Sequence, residues 1–124
     1  VPVKILVVDD SVSVRNIMSM MLTNAGYEVI GVSRGTEATR LIDHSFQLVI
    51  MDYYLPDLNG IEATRTIRSG TQHAAVPIIM VTTEMDASKK WEAKAAGVSA
   101  WITKPFDQTS LLAVVGKLIT TVSF

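Results

Sequence analysis

The chain has 124 residues, 48% hydrophobic and 19% charged, with a net charge of −1 and no cysteine. That length suits one domain with its own core, and the composition excludes a disordered segment. The balanced charge argues against a broad nucleic-acid or membrane-surface binder, and the missing cysteine excludes a disulfide framework and thiolate chemistry.

No apolar stretch approaches the roughly 18 residues of a membrane span. The start, Val1-Pro2-Val3-Lys4, lacks the parts of a signal peptide. The expected location is therefore the cytoplasm. With no initiator Met, the chain reads as trimmed or as part of something longer.

Short apolar runs alternate with helical patterns five times. The first run, Val3–Val8, leads into a stripe of Val14, Ile17, Met18, Met21 and Leu22, at helical spacing. Ser11 is the expected N-cap and Gly26 the stop. Met18, Met20 and Met21 read as soft core filler. The second run, Glu28–Val32, precedes a stripe of Ala38, Leu41 and Ile42. The third, Leu48–Met51, precedes Ile61, Thr64 and Ile67, closed near Gly70. The fourth, Pro77–Val81, precedes the least amphipathic helix, about Met85–Ala96, with Trp91 and Ala95 as core candidates and Gly97 as stop. The fifth, Ala100–Thr103, precedes Leu111, Leu112, Val115, Leu118 and Ile119. Strict βα alternation predicts an α/β fold, a parallel sheet covered on both faces with right-handed crossovers. The five units use up the chain, so residues 1–124 are expected to be one domain.

Polar residues stand where the runs end. Asp9-Asp10 follow the first, Asp52 the third and Lys104-Pro105 the fifth, while Thr82 ends the fourth. The carboxyl ends of parallel strands form the crevice in which open α/β folds place their chemistry. Neighbouring carboxylates repel unless a cation sits between them, and Mg²⁺ favours carboxylate and phosphate oxygens. A carboxylate such as Asp52 can act as a nucleophile and form an acyl phosphate. Lys104 can neutralise a phosphoryl oxygen, and Thr82 offers a hydroxyl. Alone, each has an ordinary reading: a solvated acidic turn, a turn-capping Asp, a surface Lys, a β-branched strand residue. Their shared place at the strand ends of one inferred sheet favours a site.

The ordered set Val7-Val8-Asp9-Asp10-Ser11, Met51-Asp52 with Pro56 and Gly60, Val81-Thr82-Thr83-Glu84 and Lys104-Pro105-Phe106 resembles the receiver domain of two-component response regulators. The stretches around Thr82 and before Lys104 look most like single-domain chemotaxis regulators of the CheY type. The resemblance implies a five-stranded sheet of order 2-1-3-4-5, flavodoxin-like. It implies that Asp52 is the phosphoacceptor, and that Asp9, Asp10, Asp52 and the backbone carbonyl of Tyr54 bind Mg²⁺. Lys104 and Thr82 would contact the phosphoryl group, and the Lys104–Pro105 bond would be cis. The phosphodonor would be a phosphohistidine on a sensor histidine kinase. The output partner would bind the surface of the fourth helix, fifth strand and fifth helix, where Lys89, Lys90 and Lys94 give a basic face. No direct contact with nucleic acid or membrane is expected, and no enzymatic turnover beyond the protein's own phosphorylation and dephosphorylation.

Trp101 stands where this family has its switch aromatic, usually Tyr or Phe, and is expected to be that switch with Thr82. Tyr54, two residues after Asp52, is expected to restrict water at the acyl phosphate, with Glu84 nearby. Arg15, one helical turn after the acidic pair, could form an ion pair there but is read rather as a solvated helix-face residue, and His44 and His73 are read as surface-loop residues without metal-ligand spacing. The alternatives are a receiver cut from a larger regulator or hybrid kinase, which the ending Val122-Ser123-Phe124 leaves open, and a receiver fold that binds partners without phosphorylation. An aspartate-nucleophile phosphatase is disfavoured because Tyr54 stands where such enzymes carry a second Asp. A nucleotide-binding module is disfavoured because no glycine-rich phosphate loop is present.

Overall fold

The computed structural model describes residues 2–120. Val1 and residues 121–124, with the ending just mentioned, lie outside the described residues. Five strands alternate with five helices: β1 (Lys4–Val8), α1 (Val12–Asn24), β2 (Glu28–Val32), α2 (Gly35–Leu41), β3 (Leu48–Met51), α3 (Gly60–Ser69), β4 (Ile78–Thr82), α4 (Ala87–Ala96), β5 (Ala100–Thr103) and α5 (Gln108–Thr120). The sheet order is β2-β1-β3-β4-β5, parallel throughout. The chain reverses its direction of winding between β1 and β3. A crevice therefore opens beyond their carboxyl ends.

Side chains along a strand alternate between faces, and the core divides accordingly. Leu6, Val8, Val49, Met51 and Ile78 pack against Ala38, Ile42, Phe46, Ala63 and Ile67, on the face of α2 and α3. Ile5, Val7, Leu48, Ile50, Ile79 and Val81 pack against Met18, Leu22, Leu111 and Val115, on the face of α1 and α5. β3 and β4 are buried along their whole length, which is why they read as unbroken apolar runs. Burying one such side chain contributes about 1.5–3 kcal/mol, so the strands that carry the crevice are the best-anchored part of the fold.

The helix ends obey local chemistry. The Ser11 hydroxyl accepts from the Val14 N–H. Asn59 and Glu62 form a reciprocal capping box at α3. α4 starts at Ala87 rather than Met85, capped by Asp86, whose carboxylate accepts from the Ser88 N–H. Gly97 closes α4 at φ 107°, in the left-handed region that glycine enters without a Cβ penalty.

Five residues expected in the core are exposed instead. Trp91 is 70% exposed and Ala95 is exposed, while Ala93 is the buried residue of α4. Trp91 lies two residues from Ala93, roughly 200° around a helix at 3.6 residues per turn. The small Ala93 packs on Tyr53, Ile61 and Met80, with Ala96 beside it. Met20 is also exposed rather than core, as are Ile17 and Leu41. The fourth strand runs from Ile78 to Thr82 rather than from Pro77, since proline has no N–H for the ladder. Likewise β1 starts at Lys4 rather than Val3.

Candidate functional site

β1 and β3 pair with Val8 opposite Met51, so Asp9 and Asp52 emerge side by side. The ladder extends to both. The Asp9 N–H donates to the Val32 carbonyl at 3.1 Å, and the Asp52 N–H to the Val8 carbonyl at 3.0 Å. Both side chains are enclosed, at 1% and 7% exposure. Each is fixed in the same way. Asp9 Oδ1 accepts from the Ser11 N–H at 2.9 Å, and Asp52 Oδ1 from the Tyr54 N–H at 3.1 Å. These are Asx-turns, in which a side chain bonds the backbone two residues on. The second oxygens both face Lys104, whose Nζ donates to Asp9 Oδ2 at 2.9 Å and Asp52 Oδ2 at 2.8 Å.

Lys104 reaches them from the far strand. Its N–H continues the β4–β5 ladder by donating to the Thr82 carbonyl at 2.8 Å, and its side chain crosses the end of β4. Burial works against its charge, but the hydrogen bonds to Asp52 and Asp9 outweigh that and raise its pKa. The Lys104–Pro105 peptide is cis, as expected.

Thr82 is fully buried at the end of β4, and its Oγ1 accepts from the Glu84 N–H at 3.2 Å. Tyr54 is 51% exposed, and its hydroxyl donates to Glu84 Oε1. That bond, the largest influence on both groups, pushes the Tyr54 phenol up to about 12 and holds Glu84 below the usual carboxylate range. The result is a link between the loops that follow β3 and β4.

Not every expected residue joins. Asp10 is exposed, and among the described residues no three His, Cys, Asp or Glu side chains converge as metal ligands. Asp9 and Asp52 nonetheless already share one cation, Lys104. With Asp10 adjacent in the chain and the Tyr54 carbonyl in the same loop as Asp52, the donors are all oxygen and mostly anionic. That chemistry fits a hard divalent ion such as Mg²⁺.

Trp101 lies half-buried on β5 beside Met80, Tyr53 and Ala93. Its indole Nε1 is buried with no hydrogen-bond partner among the described residues. The Lys90 ammonium stands 5.9 Å from its ring centre, and a cavity of about 250 Å³ opens between the two.

Three structural supports of the site act through contacts the sequence did not specify. Arg15 is no solvated residue: its guanidinium donates to the Asp9 backbone carbonyl at 2.7 Å. Gly31 leaves the room, because a Cβ there would stand 3.3 Å from Arg15 Cδ. Asp57, in the loop after Asp52, accepts from the Gly35 and Thr36 N–H groups at 2.9 and 3.0 Å and from the Thr36 hydroxyl. The Thr36 hydroxyl bond above all holds the Asp57 carboxyl far below its usual range. Gly60 sits so close that a Cβ would lie 2.6 Å from both the Asp52 carbonyl oxygen and Met80 Sδ. The Gly60 N–H also donates to the Tyr53 carbonyl at 2.8 Å.

Residues 5–116 match the family model for the response regulator receiver domain. Chemotaxis protein CheY1 of Helicobacter pylori is 38% identical over 106 residues, 83% of this chain and 86% of that protein. The uncharacterized transcriptional regulatory protein YrkP of Bacillus subtilis is 37% identical over 108 residues, 87% of this chain but only 46% of that protein. Among solved structures, the receiver domain of sensor histidine kinase PA1611 from Pseudomonas aeruginosa, with a magnesium ion in its active-site cleft, superposes with a TM-score of 0.87. It is 29% identical, and the match covers 97% of this chain and 99% of that one.

Proposed function

The chain belongs to the response regulator receiver domain family, and on that premise we propose that it is a phosphoacceptor switch with Asp52 as the phosphorylated residue. Receiver domains are signalling proteins that take phosphoryl groups from histidine kinases and act on output partners. One observation carries the reading for this chain. Asp9 and Asp52 are enclosed together at the crevice and held by one lysine at 2.9 and 2.8 Å.

In the proposed reaction, an Asp52 carboxylate oxygen attacks the phosphorus of a phosphohistidine on the sensor kinase. A P–O bond forms, the P–N bond breaks, and the imidazole leaves. Asp9, Asp10, Asp52 and the Tyr54 carbonyl would hold Mg²⁺, which supplies the positive charge that lets an anionic phosphoryl group approach a carboxylate. Lys104 gives up its bond to Asp52 and pairs with a phosphoryl oxygen. The Thr82 hydroxyl oxygen already accepts from Glu84, and its hydrogen turns to the same group. Phosphorylation brings about −1.5 to −2 charges and new acceptor oxygens, and these bias an existing equilibrium rather than make a new fold. Trp101, one strand position from Ile102 across from Val81, carries the change to the surface of α4, β5 and α5, where the output protein binds.

We assign the pathway to chemotaxis or motility, on the likeness to CheY1, and residues 1–124 to one receiver domain acting in the cytoplasm. No helix among the described residues is long and apolar enough to cross a membrane.

The test is intact-protein mass after incubation with acetyl phosphate, with Mg²⁺ or EDTA, for the native chain and Asp52→Asn. A single Mg²⁺-dependent phosphoryl adduct absent from Asp52→Asn is expected. No adduct under any condition would leave the fold as a binding platform only.

A further inference from the structure

His44 belongs to the connection from α2 to β3, and His73 to the connection from α3 to β4. Nothing in their sequence spacing relates them. Because β3 and β4 are paired neighbours, the two connections run side by side at the amino edge of the sheet, away from Asp52. The imidazole centres lie 4.6 Å apart, with ring planes tilted by 32°. Two imidazoles on one metal ion need nitrogens about 3 Å apart, given metal–nitrogen bonds of about 2.0–2.1 Å near tetrahedral angles. Rings with these centres reach that arrangement by rotation about their own side-chain bonds, and His44 is exposed.

A second observation concerns the space beside the two rings; His73 is itself half-buried. A cavity of about 360 Å³, walled by His44, His73, Phe46, Pro77 and Ile119, gives space beside the rings for water ligands.

We propose that His44 and His73 form a two-imidazole site for a borderline divalent transition metal, Zn²⁺, Ni²⁺ or Cu²⁺. Imidazole suits these ions, whereas Mg²⁺ selects oxygen. Asp43, the adjacent carboxylate, is engaged by the Ser45 N–H at 2.8 Å and by the Ser45 hydroxyl. Among the described residues no third His, Cys, Asp or Glu completes a cluster, so water fills the remaining positions. Arg68 is the other charged group acting on His73. Its guanidinium is turned to the Gly97 and Ala74 carbonyls. A bound ion would tie the α2–β3 connection to the α3–β4 connection, at the opposite edge of the sheet from the proposed phosphoacceptor.

The experiment is calorimetric titration of the untagged full chain with Zn²⁺ at pH 7, with Mg²⁺ in excess to occupy the oxygen site. Native protein, His44→Gln, His73→Gln and Asp52→Asn are compared, each first checked for native circular dichroism. One equivalent of Zn²⁺ is expected to bind the native chain and Asp52→Asn alike. Each histidine variant should weaken it by about tenfold or more. The unfolding midpoint should rise with Zn²⁺ in the native chain and not in the histidine variants. Equal affinity in the histidine variants, loss of binding in Asp52→Asn or on adding Mg²⁺, or no binding at millimolar Zn²⁺ would each overturn the proposal. The phosphoryl-adduct experiment is independent of it, so either can fail alone.

Discussion

The crevice around Asp52 and the face around Trp101 lie on the same sheet and are built in opposite ways. In the crevice all four carboxylate oxygens of Asp9 and Asp52 have donors, two from backbone N–H groups and two from Lys104. On the other face a buried indole N–H has none among the described residues. Trp91 stands 70% exposed on α4, Lys90 lies 5.9 Å from the Trp101 ring centre and Lys94 5.4 Å from that of Trp91. A buried donor without a partner costs about 1–3 kcal/mol, and any arrangement that supplies an acceptor recovers that. The crevice is therefore set in one geometry, and the Trp101 face is the cheaper part to rearrange. A switch needs both, one to hold chemistry still and one to change shape.

Breaking the crevice should have the largest effect. Lys104→Ala leaves two enclosed carboxylates with no counter-charge, and removing one partner of a buried ion pair typically costs about 3–5 kcal/mol. Urea unfolding at pH 7 should register that loss, and millimolar Mg²⁺ should restore part of it by binding the native state. Asp52→Asn, which leaves Asp9 and Lys104 paired, should lose far less. The pH dependence follows from the direction of the Lys104 shift. Its pKa is raised above the usual 10.5, so its contribution is complete below 10.5 and declines as pH climbs through the folded value. A Lys104→Ala midpoint equal to the native one would mean that the three groups are not energetically coupled.

Gly60→Ala attacks the same crevice from behind. A Cβ 2.6 Å from the Asp52 carbonyl and from Met80 Sδ forces the start of α3 away from β3. Overpacking of this kind costs about 1–3 kcal/mol. Because the strain falls on Asp52 itself, the rate of phosphorylation by acetyl phosphate should drop along with stability. A stability loss with an unchanged rate would place the adjustment in Met80 instead.

On the other face the signs differ. Trp101→Phe removes the unpartnered N–H while keeping most of the ring, so stability should hold or rise by about 1 kcal/mol. A clear fall would show that the indole nitrogen has an acceptor in solution. Trp101→Ala tests the proposed switch more directly. Binding of the output partner should weaken while Asp52 still accepts a phosphoryl group. If phosphorylation is lost as well, Trp101 supports the site rather than transmitting from it.

The five strands were legible as short runs ending in turn signals, most plainly the central β3 and β4, which bury both faces. Asp9, Asp52, Thr82 and Lys104 were legible because each follows or ends such a run, and the topology then brings the strand ends together. The phase of α4 was not. Hydropathy favours Trp91 over Ala93, but packing near Ile61 and Met80 selects the smaller side chain. Arg15 and Asp57 escaped for a different reason. They bond backbone atoms of Asp9, Gly35 and Thr36, and a backbone acceptor or donor has no letter of its own. Gly31, Gly35 and Gly60 were the visible traces, since each marks a place where another group approaches closely.

The smallest expected effect concerns the link between the two regions. Tyr54 bonds Asp52 through its N–H and Glu84 through its hydroxyl, and the Glu84 N–H bonds Thr82. Spectroscopic titration should find one phenol that ionises only near pH 12, and Glu84→Gln should bring it down toward its usual 10. The phenol is stabilised in its protonated form, so this contribution is intact below pH 10 and disappears as pH passes 12. The functional counterpart is the lifetime of the proposed acyl phosphate. The Tyr54 hydroxyl is tethered to Glu84, which on the proposed reading holds the ring where it restricts the approach of water. Tyr54→Asn should shorten that lifetime. Glu84→Gln, which keeps the ring but loosens its tether, should shorten it less. Equal lifetimes in all three proteins would reduce the tyrosine to loop packing and leave Thr82 as the connection between the crevice and the Trp101 face.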